Sequence, residues 1–132
     1  MRTKIQNKTA SAEIESLGAQ LMSLKNAEGT EYLWQGNPAF WSSRAPVLFP
    51  TVGNVRGGTT IINGKPYALK RHGFARNLEH SVLDSGANFI TYSLKDSEET
   101  RKLYPFVFEL RVTYRLIENG LTTEFAVFNR GD

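Results

Sequence analysis

The chain has 132 residues, of which 40% are hydrophobic and 22% charged, with a net charge of +3 and no cysteine. That balance fits one globular domain with a genuine core, and the missing cysteines exclude disulfides and thiolate metal sites while remaining compatible with a reducing cytoplasm. No apolar run reaches the ~18 residues of a membrane-spanning helix, and the basic start Met1-Arg2-Thr3-Lys4 has no apolar stretch behind it to make a secretory signal.

The dominant rhythm along the chain is period two, which predicts strands rather than helices. Residues 10–25 alternate loosely, and Leu17-Gly18 interrupts them, giving two short strands with a turn or bulge between. Glu31-Tyr32-Leu33-Trp34 reads as a further short strand after the turn Ala27-Glu28-Gly29, and Asn37 to Trp41 as one helical turn.

Residues 36–53 carry three prolines and two glycines, which break regular structure, yet they also hold Phe40, Trp41, Val47, Leu48 and Phe49. A loop this apolar must be buried or must line something. From these residues alone it reads as core, with a pocket wall as the alternative. Sugars suit such a wall, because their C–H faces lie on aromatic rings while Arg, Asn and His bond the hydroxyls.

Three hairpins follow. Thr59–Ile62 and Lys65–Leu69 flank Asn63-Gly64, the preferred pair for a type I′ turn, and Pro66 puts the second strand at an edge. Leu78–Leu83 and Phe89–Leu94 flank the longer loop 84–88. Phe106–Ile117 and Leu121–Phe128 flank Glu118-Asn119-Gly120, and Val112, Tyr114 and Leu116 alternate with Arg111, Thr113 and Arg115 as in a half-buried antiparallel strand. Helix is confined to Ser97–Lys102, with Ser97 as N-cap, acids in the first turn and Pro105 closing it. The fold class is therefore all-β, an antiparallel β-sandwich or curved sheet stack.

Residues 70–76 read Lys-Arg-His-Gly-Phe-Ala-Arg and follow a hairpin directly, a place where a scaffold fixes a functional loop. His72 can donate to or accept from a sugar hydroxyl. His80 reads as a strand residue, and two histidines without neighbouring acids make no metal site. The 13 acids are dispersed, most of them in turns or on outward strand positions, with no spacing that singles out a catalytic pair. The basic residues are scattered too. Their tightest cluster, Lys70-Arg71-His72, reads as solvated surface rather than a nucleic-acid site.

Taken in order, Gly18-Ala19-Gln20-Leu21, Glu31 to Gly36, Trp41-Ser42-Ser43-Arg44-Ala45-Pro46-Val47-Leu48-Phe49-Pro50, His72-Gly73-Phe74-Ala75-Arg76, Tyr104-Pro105-Phe106 and Asn129-Arg130-Gly131-Asp132 resemble the aldose 1-epimerase (galactose mutarotase-like) family, in its LacX-like bacterial branch. The resemblance implies a cytoplasmic β-supersandwich that binds a hexose in an open groove and interconverts its α and β anomers. A base takes the C1 hydroxyl proton, an acid protonates the ring oxygen, the ring opens, and it recloses with the roles exchanged. It implies no metal or organic cofactor, and neither a membrane nor a nucleic-acid partner. The family's sugar-binding histidine falls on His72.

Two departures accompany the resemblance. Many members carry an Arg after the Val-Gly of the proline block. Here that place is held by Asn54, with Arg44 and Arg56 as open candidates for the missing charge. The candidate substrate-binding set is thus His72, Asn54, Arg44, Arg56 and Phe74. The family's general acid lies just beyond the Asn-x-Gly-Asp segment and its general base further on, so no catalytic residue is assigned among residues 1–132. The chain then reads as the N-terminal part of a galactose mutarotase-like domain, without activity of its own. The alternatives are a non-catalytic carbohydrate-binding module or a remnant needing its other half. A halved sandwich is expected to expose Phe106, Phe108, Val112, Tyr114, Phe125 and Val127, and to self-associate through open sheet edges.

Overall fold

The computed structural model describes residues 1–132 and holds three antiparallel sheets. The first contains β1 (Arg2–Gln6), β2 (Ala10–Glu15) and β3 (Gln20–Asn26) in that order. The second is the hairpin of β4 (Thr59–Ile62) and β5 (Lys65–Ala68). The third runs β6 (Ser81–Gly86), β7 (Phe89–Lys95), β8 (Phe108–Ile117) and β9 (Gly120–Asn129), with α1 (Glu98–Leu103) between β7 and β8.

The core lies between the first and third sheets. Ile5, Ala12, Ile14 and Leu21 come from one side and Ile90, Tyr92, Leu94, Leu110, Val112, Tyr114 and Leu116 from the other, all buried. The alternation read from 112–116 is therefore real. The Tyr114 hydroxyl crosses the layer and donates to the carbonyl of Ala19 at 2.8 Å, so this polar tip is satisfied, whereas the buried Tyr92 hydroxyl has no partner. Ala19 itself has a positive φ of 45°, in the turn that reverses β2 into β3.

Local chemistry explains the rest. Asn63 and Gly64 have φ of 50° and 76°, as a type I′ turn requires, and they set the β4–β5 register. The N-terminus of α1 is closed by a reciprocal capping box. The backbone N–H of Thr100 donates to the Ser97 hydroxyl oxygen, and that of Ser97 donates to Thr100 Oγ1 at 2.8 Å. Tyr104 is extended, as the residue before Pro105 must be, and it ends the helix.

Four expectations are corrected. Residues 31–34 form no strand beyond a single bridge at Glu31. The Glu31 carboxylate accepts from the Ser23 hydroxyl and from the N–H groups of Leu24 and Leu33, and so folds the segment back on β3. Leu78–His80 precede β6, which instead runs on to Gly86 and shortens the loop. Of the six residues expected to be uncovered, Val112 and Tyr114 are buried in the core between the sheets and Phe108 is buried under the rings of Phe49, Phe74 and Tyr104. Phe106, Phe125 and Val127 remain exposed at 38%, 58% and 57%. Phe125 and Val127 lie opposite Val112 and Leu110 on β9, a sheet-edge strand whose inner face has no cover.

The fourth correction concerns Glu109, which is no outward solvated acid. Only 3% of it is exposed, on the face of the third sheet that turns away from the core. It accepts from the Ser93 hydroxyl, from Arg111 Nε at 2.8 Å and from the Arg130 guanidinium at 2.6 Å. The two guanidiniums also lie over the ring of Phe128, at 4.7 and 4.6 Å from its centre. Arg111 and then Arg130 hold the Glu109 carboxyl down from 4.5 to about 2. With the folded value lowered, the cluster contributes its full stability above about pH 4.5 and loses it as pH falls towards about 2. Glu109→Gln is expected to lower the urea midpoint at neutral pH and to flatten its fall across that acid window. An unchanged pH profile in the variant would refute this role.

Candidate functional site

The segment 45–53 and the segment 70–76 are welded together by their backbones. The carbonyl oxygen of Phe49 accepts from the N–H of Phe74 at 2.9 Å and of Ala75 at 3.2 Å, and Phe49 bridges Gly73 in parallel. Gly73 has φ +70°, and a Cβ there would meet that carbonyl oxygen at 2.1 Å. On one side of the weld the rings of Phe49, Phe74, Tyr104 and Phe108 pack with centroid distances between 5.1 and 6.5 Å. On the other side lies His72.

His72 sits at φ +67°, a conformation unusual for a residue with a Cβ, and two bonds to a single glycine hold it there. Its backbone N–H donates to the carbonyl of Gly53 at 2.9 Å, and the N–H of Gly53 donates to its ring Nδ1 at 2.9 Å. Nδ1 is therefore the acceptor, and the ring proton of the neutral imidazole belongs on Nε2. Partial burial, followed by the charges of Arg71 and Arg76, holds its pKa below the usual histidine value and keeps it neutral.

His72 lines a cleft of about 550 Å³ together with Trp41, Ser43, Pro46, Leu48, Arg71 and Arg76. Trp41 is brought there by a turn in which the Asn37 carbonyl accepts from the N–H groups of Phe40 and Trp41, and Asn37 Oδ1 from that of Ala39. Trp34 Nε1 donates to the Trp41 carbonyl at 2.8 Å and secures the turn. The lining thus combines an indole that is 51% exposed, hydroxyl and imidazole donors and two guanidiniums, and it contains no carboxylate. A second hollow of about 510 Å³ lies between the end of β3 and the β8–β9 turn. There Thr9 Oγ1 donates to the Glu118 carbonyl, a contact between turns, and no candidate residue takes part.

Of the five residues singled out in the sequence, only His72 lines the cleft. Phe74 is 7% exposed and belongs to the aromatic cluster beneath it. The Arg44 guanidinium donates to the Gln35 carbonyl at 3.1 Å and rests near the Met22 sulfur, tying the 35–44 loop to β3. Asn54 and Arg56 are exposed on the approach to β4, beside Gly53 in sequence but outside the lining. The apolar loop satisfies both readings given to it. Val47 and Phe49 face the core, while Trp41, Pro46 and Leu48 face the cleft. Arg71 and Arg76 are the residues that the sequence reading passed over, although both flank His72 in the same block.

The chain is an antiparallel β-sandwich that carries an open cleft of aromatic and hydrogen-bonding side chains on its loops. Comparison with known proteins gives the class its family. Residues 1–132 match the family model described as aldose 1-epimerase, and the chain belongs to that family. The chromosomal protein LacX of Lactococcus lactis subsp. lactis is 37% identical over 134 residues, covering 98% of this chain and 45% of LacX. A galactose mutarotase related enzyme from Lactobacillus acidophilus superposes with a TM-score of 0.97 at 44% identity, over 100% of this chain and 44% of that one. A galactose mutarotase-like protein from Lactobacillus casei ATCC 334 gives 0.94 at 36% identity, over 98% and 44%. The chain therefore spans less than half the length of these relatives. It shares their nearly all-antiparallel β fold.

The backbone weld predicts unequal costs for two glycine substitutions. Gly64→Ala meets nothing within 4 Å and bears only the left-handed penalty of ~1–2 kcal/mol. Gly73→Ala adds a collision with main chain and is expected to lose clearly more, at least ~3 kcal/mol, in urea unfolding. Equal losses at the two positions would contradict the close approach.

Proposed function

We propose that the chain forms the sugar-cradling N-terminal part of an aldose 1-epimerase domain and binds a hexose in the His72 cleft. The supporting observation is the cleft lining itself. Trp41 offers an aromatic surface for the sugar's C–H face, and the fixed Nε2–H of His72 offers a donor to a ring hydroxyl. In this reading the complete family domain interconverts α and β anomers in the cytoplasm. Residues 1–132 supply binding and orientation but no general acid or base. Anomer exchange needs a group to take the C1 hydroxyl proton and another to protonate the ring oxygen, yet no carboxylate lines the cleft. The half-buried Glu31 and the buried Glu109 are committed to structural bonds elsewhere. Asn54, Arg44 and Arg56 join the site only through the loops that they brace or extend.

Polarimetry of freshly dissolved α-glucose or α-galactose is expected to show no acceleration by the 132-residue chain. Titration followed by ligand NMR is expected to show weak sugar binding, lost in His72→Ala. Acceleration above buffer would overturn the assignment of chemistry to other residues, and binding unaffected by His72→Ala would overturn the cleft.

The uncovered face of β9 favours a further element of the reading. A free edge that places Phe125 and Val127 in water is a template for another strand. Self-association through it is expected to raise the light-scattering mass above 14.8 kDa as concentration increases. A mass that stays at the monomer value over a hundredfold range, on the order of micromolar to sub-millimolar, would count against it.

A further inference from the structure

The chain holds two histidines, and the fold gives their rings opposite tautomers. His72 Nδ1 accepts from the Gly53 N–H at 2.9 Å, so the proton of the neutral ring sits on Nε2. His80 Nδ1 lies 3.0 Å from the Leu78 carbonyl oxygen, which only accepts, so there the proton sits on Nδ1. A second proton therefore has different consequences at the two sites. At His80 it adds to Nε2, which has no partner, and the bond to Leu78 survives. At His72 it must add to Nδ1, where it takes the lone pair that holds Gly53.

The surroundings of His72 make that second proton disruptive. The other ring nitrogen, Nε2, faces Arg71 Nε at 3.2 Å, so an N–H donor stands at each end of the ring. The neutral ring can answer one of them and the imidazolium neither. Arg71 is an exposed side chain that can swing aside. The Gly53 N–H is main chain, held in place by the reciprocal bond from the His72 N–H to the Gly53 carbonyl at 2.9 Å. The charged groups that face the ring are Arg71 and Arg76 of its own segment, while the opposite wall contributes Trp41, Ser43, Pro46 and Leu48, none of them titratable. From Gly53 onward the chain is loosely packed, since a Cβ at Gly53, Gly57 or Gly58 would meet nothing within 4 Å. Before Gly53 it is fastened, because the Phe49 carbonyl takes the N–H groups of Phe74 and Ala75.

We propose that Gly53 and His72 form a proton-operated latch: protonation of the His72 ring breaks its bond to the Gly53 N–H and frees residues 53–58, while the weld at Phe49 stays closed. The latch is made of the chain's own atoms and stands whether or not a sugar occupies the cleft. Partial burial, followed by the charges of Arg71 and Arg76, holds the His72 pKa below 6.5, so the latch is closed at neutral pH and opens on acidification. With the folded value lowered, the stability linked to His72 is complete above about pH 6.5 and is lost as pH falls towards the folded value. His80, whose pKa is also lowered by burial, contributes in the same window, so only a residue-resolved measurement separates the two rings.

The test follows both rings and the main-chain amides of the 132-residue chain by NMR, from about pH 8 to below the midpoint of the His72 ring. At the upper end, nitrogen-15 shifts are expected to show the proton on Nε2 in His72 and on Nδ1 in His80. The Gly53 amide is expected to be protected from hydrogen exchange there, relative to its intrinsic rate at each pH, and to lose at least about tenfold of that protection as the His72 ring titrates. The Phe74 and Ala75 amides keep theirs. In His72→Asn the side-chain Oδ1 replaces Nδ1 as an acceptor that does not titrate, and Asn tolerates the positive φ of 67°, so Gly53 protection is expected to persist across the range. Gly53 protection that tracks the His80 ring, or that keeps its pH dependence in His72→Asn, overturns the latch. So does an unprotected Gly53 amide or an Nδ1-protonated His72 at neutral pH. Simultaneous loss at Gly53, Phe74 and Ala75 overturns it too, because the weld then opens with the loop. If the variant does not fold, the tautomers and amide profile of the parent chain decide alone.

Discussion

The carbonyl oxygen of Phe49 joins the interior of this protein to its surface cleft. It receives two main-chain N–H groups from residues 74 and 75, and it can do so only because residue 73 has no Cβ. The bond fixes a long irregular loop against a short one at a point where neither belongs to a sheet. Such a contact supplies what a ladder supplies elsewhere, satisfied backbone and a set register, and a buried loop segment without it would carry unpaired polar groups. The His72 side of the cleft is placed from this point, while Trp41 is brought there by the Asn37 turn. Phe49 directs its ring into the cluster with Phe74 and Phe108, and four residues later Gly53 holds His72 at both its backbone and its ring.

The two faces of the weld differ in chemistry for a physical reason. Below it the rings pack tilted against Phe108 of β8 and edge-on or tilted against Tyr104, the residue that follows α1, whose N-terminus is closed by the Ser97–Thr100 capping box. This side is stiff, because tight packing leaves an aromatic side chain few alternatives. Above it a histidine is held with positive φ, which a Cβ-bearing residue adopts at a cost that the two Gly53 bonds must offset. The rigid aromatic base lets the loop hold that conformation. Phe74 thus supports the ligand site without lining it.

Much of the sheet framework was legible because its determinants are local. Asn63-Gly64 forces a turn, and the alternation through Val112, Tyr114 and Leu116 requires one face to be buried. The strand β1 escaped notice because Ile5 is its only core residue, so no apolar alternation marks it. Residues 31–34 have strand-like composition, but the Glu31 carboxylate takes three donors and overrides propensity, a tertiary effect that composition does not encode. Glu109 is similar. Arg111 shares its strand and face, but the burial of Glu109 also depends on Ser93 one strand away and on Arg130 after β9, which its own strand does not reveal.

The site was legible at His72 and obscure around it. A histidine beside a glycine in a loop after a hairpin stands out, and Arg44, Arg56 and Asn54 drew attention only as replacements for one charge. The structure directs Arg44 to the Gln35 carbonyl and leaves the charge to Arg71 and Arg76, each of which looks in the sequence like ordinary solvated surface. The arginines of this fold differ in their partners. Arg111 and Arg130 have found a carboxylate and gain from neutralising it, so they build structure. Arg71 and Arg76 line a cleft with no acid, Arg76 donating to the Arg71 carbonyl, so neither has a carboxylate partner within residues 1–132. Beside the neutral imidazole of His72 their charge has no carboxylate partner among residues 1–132, which sets this part of the surface apart from the Glu109 cluster.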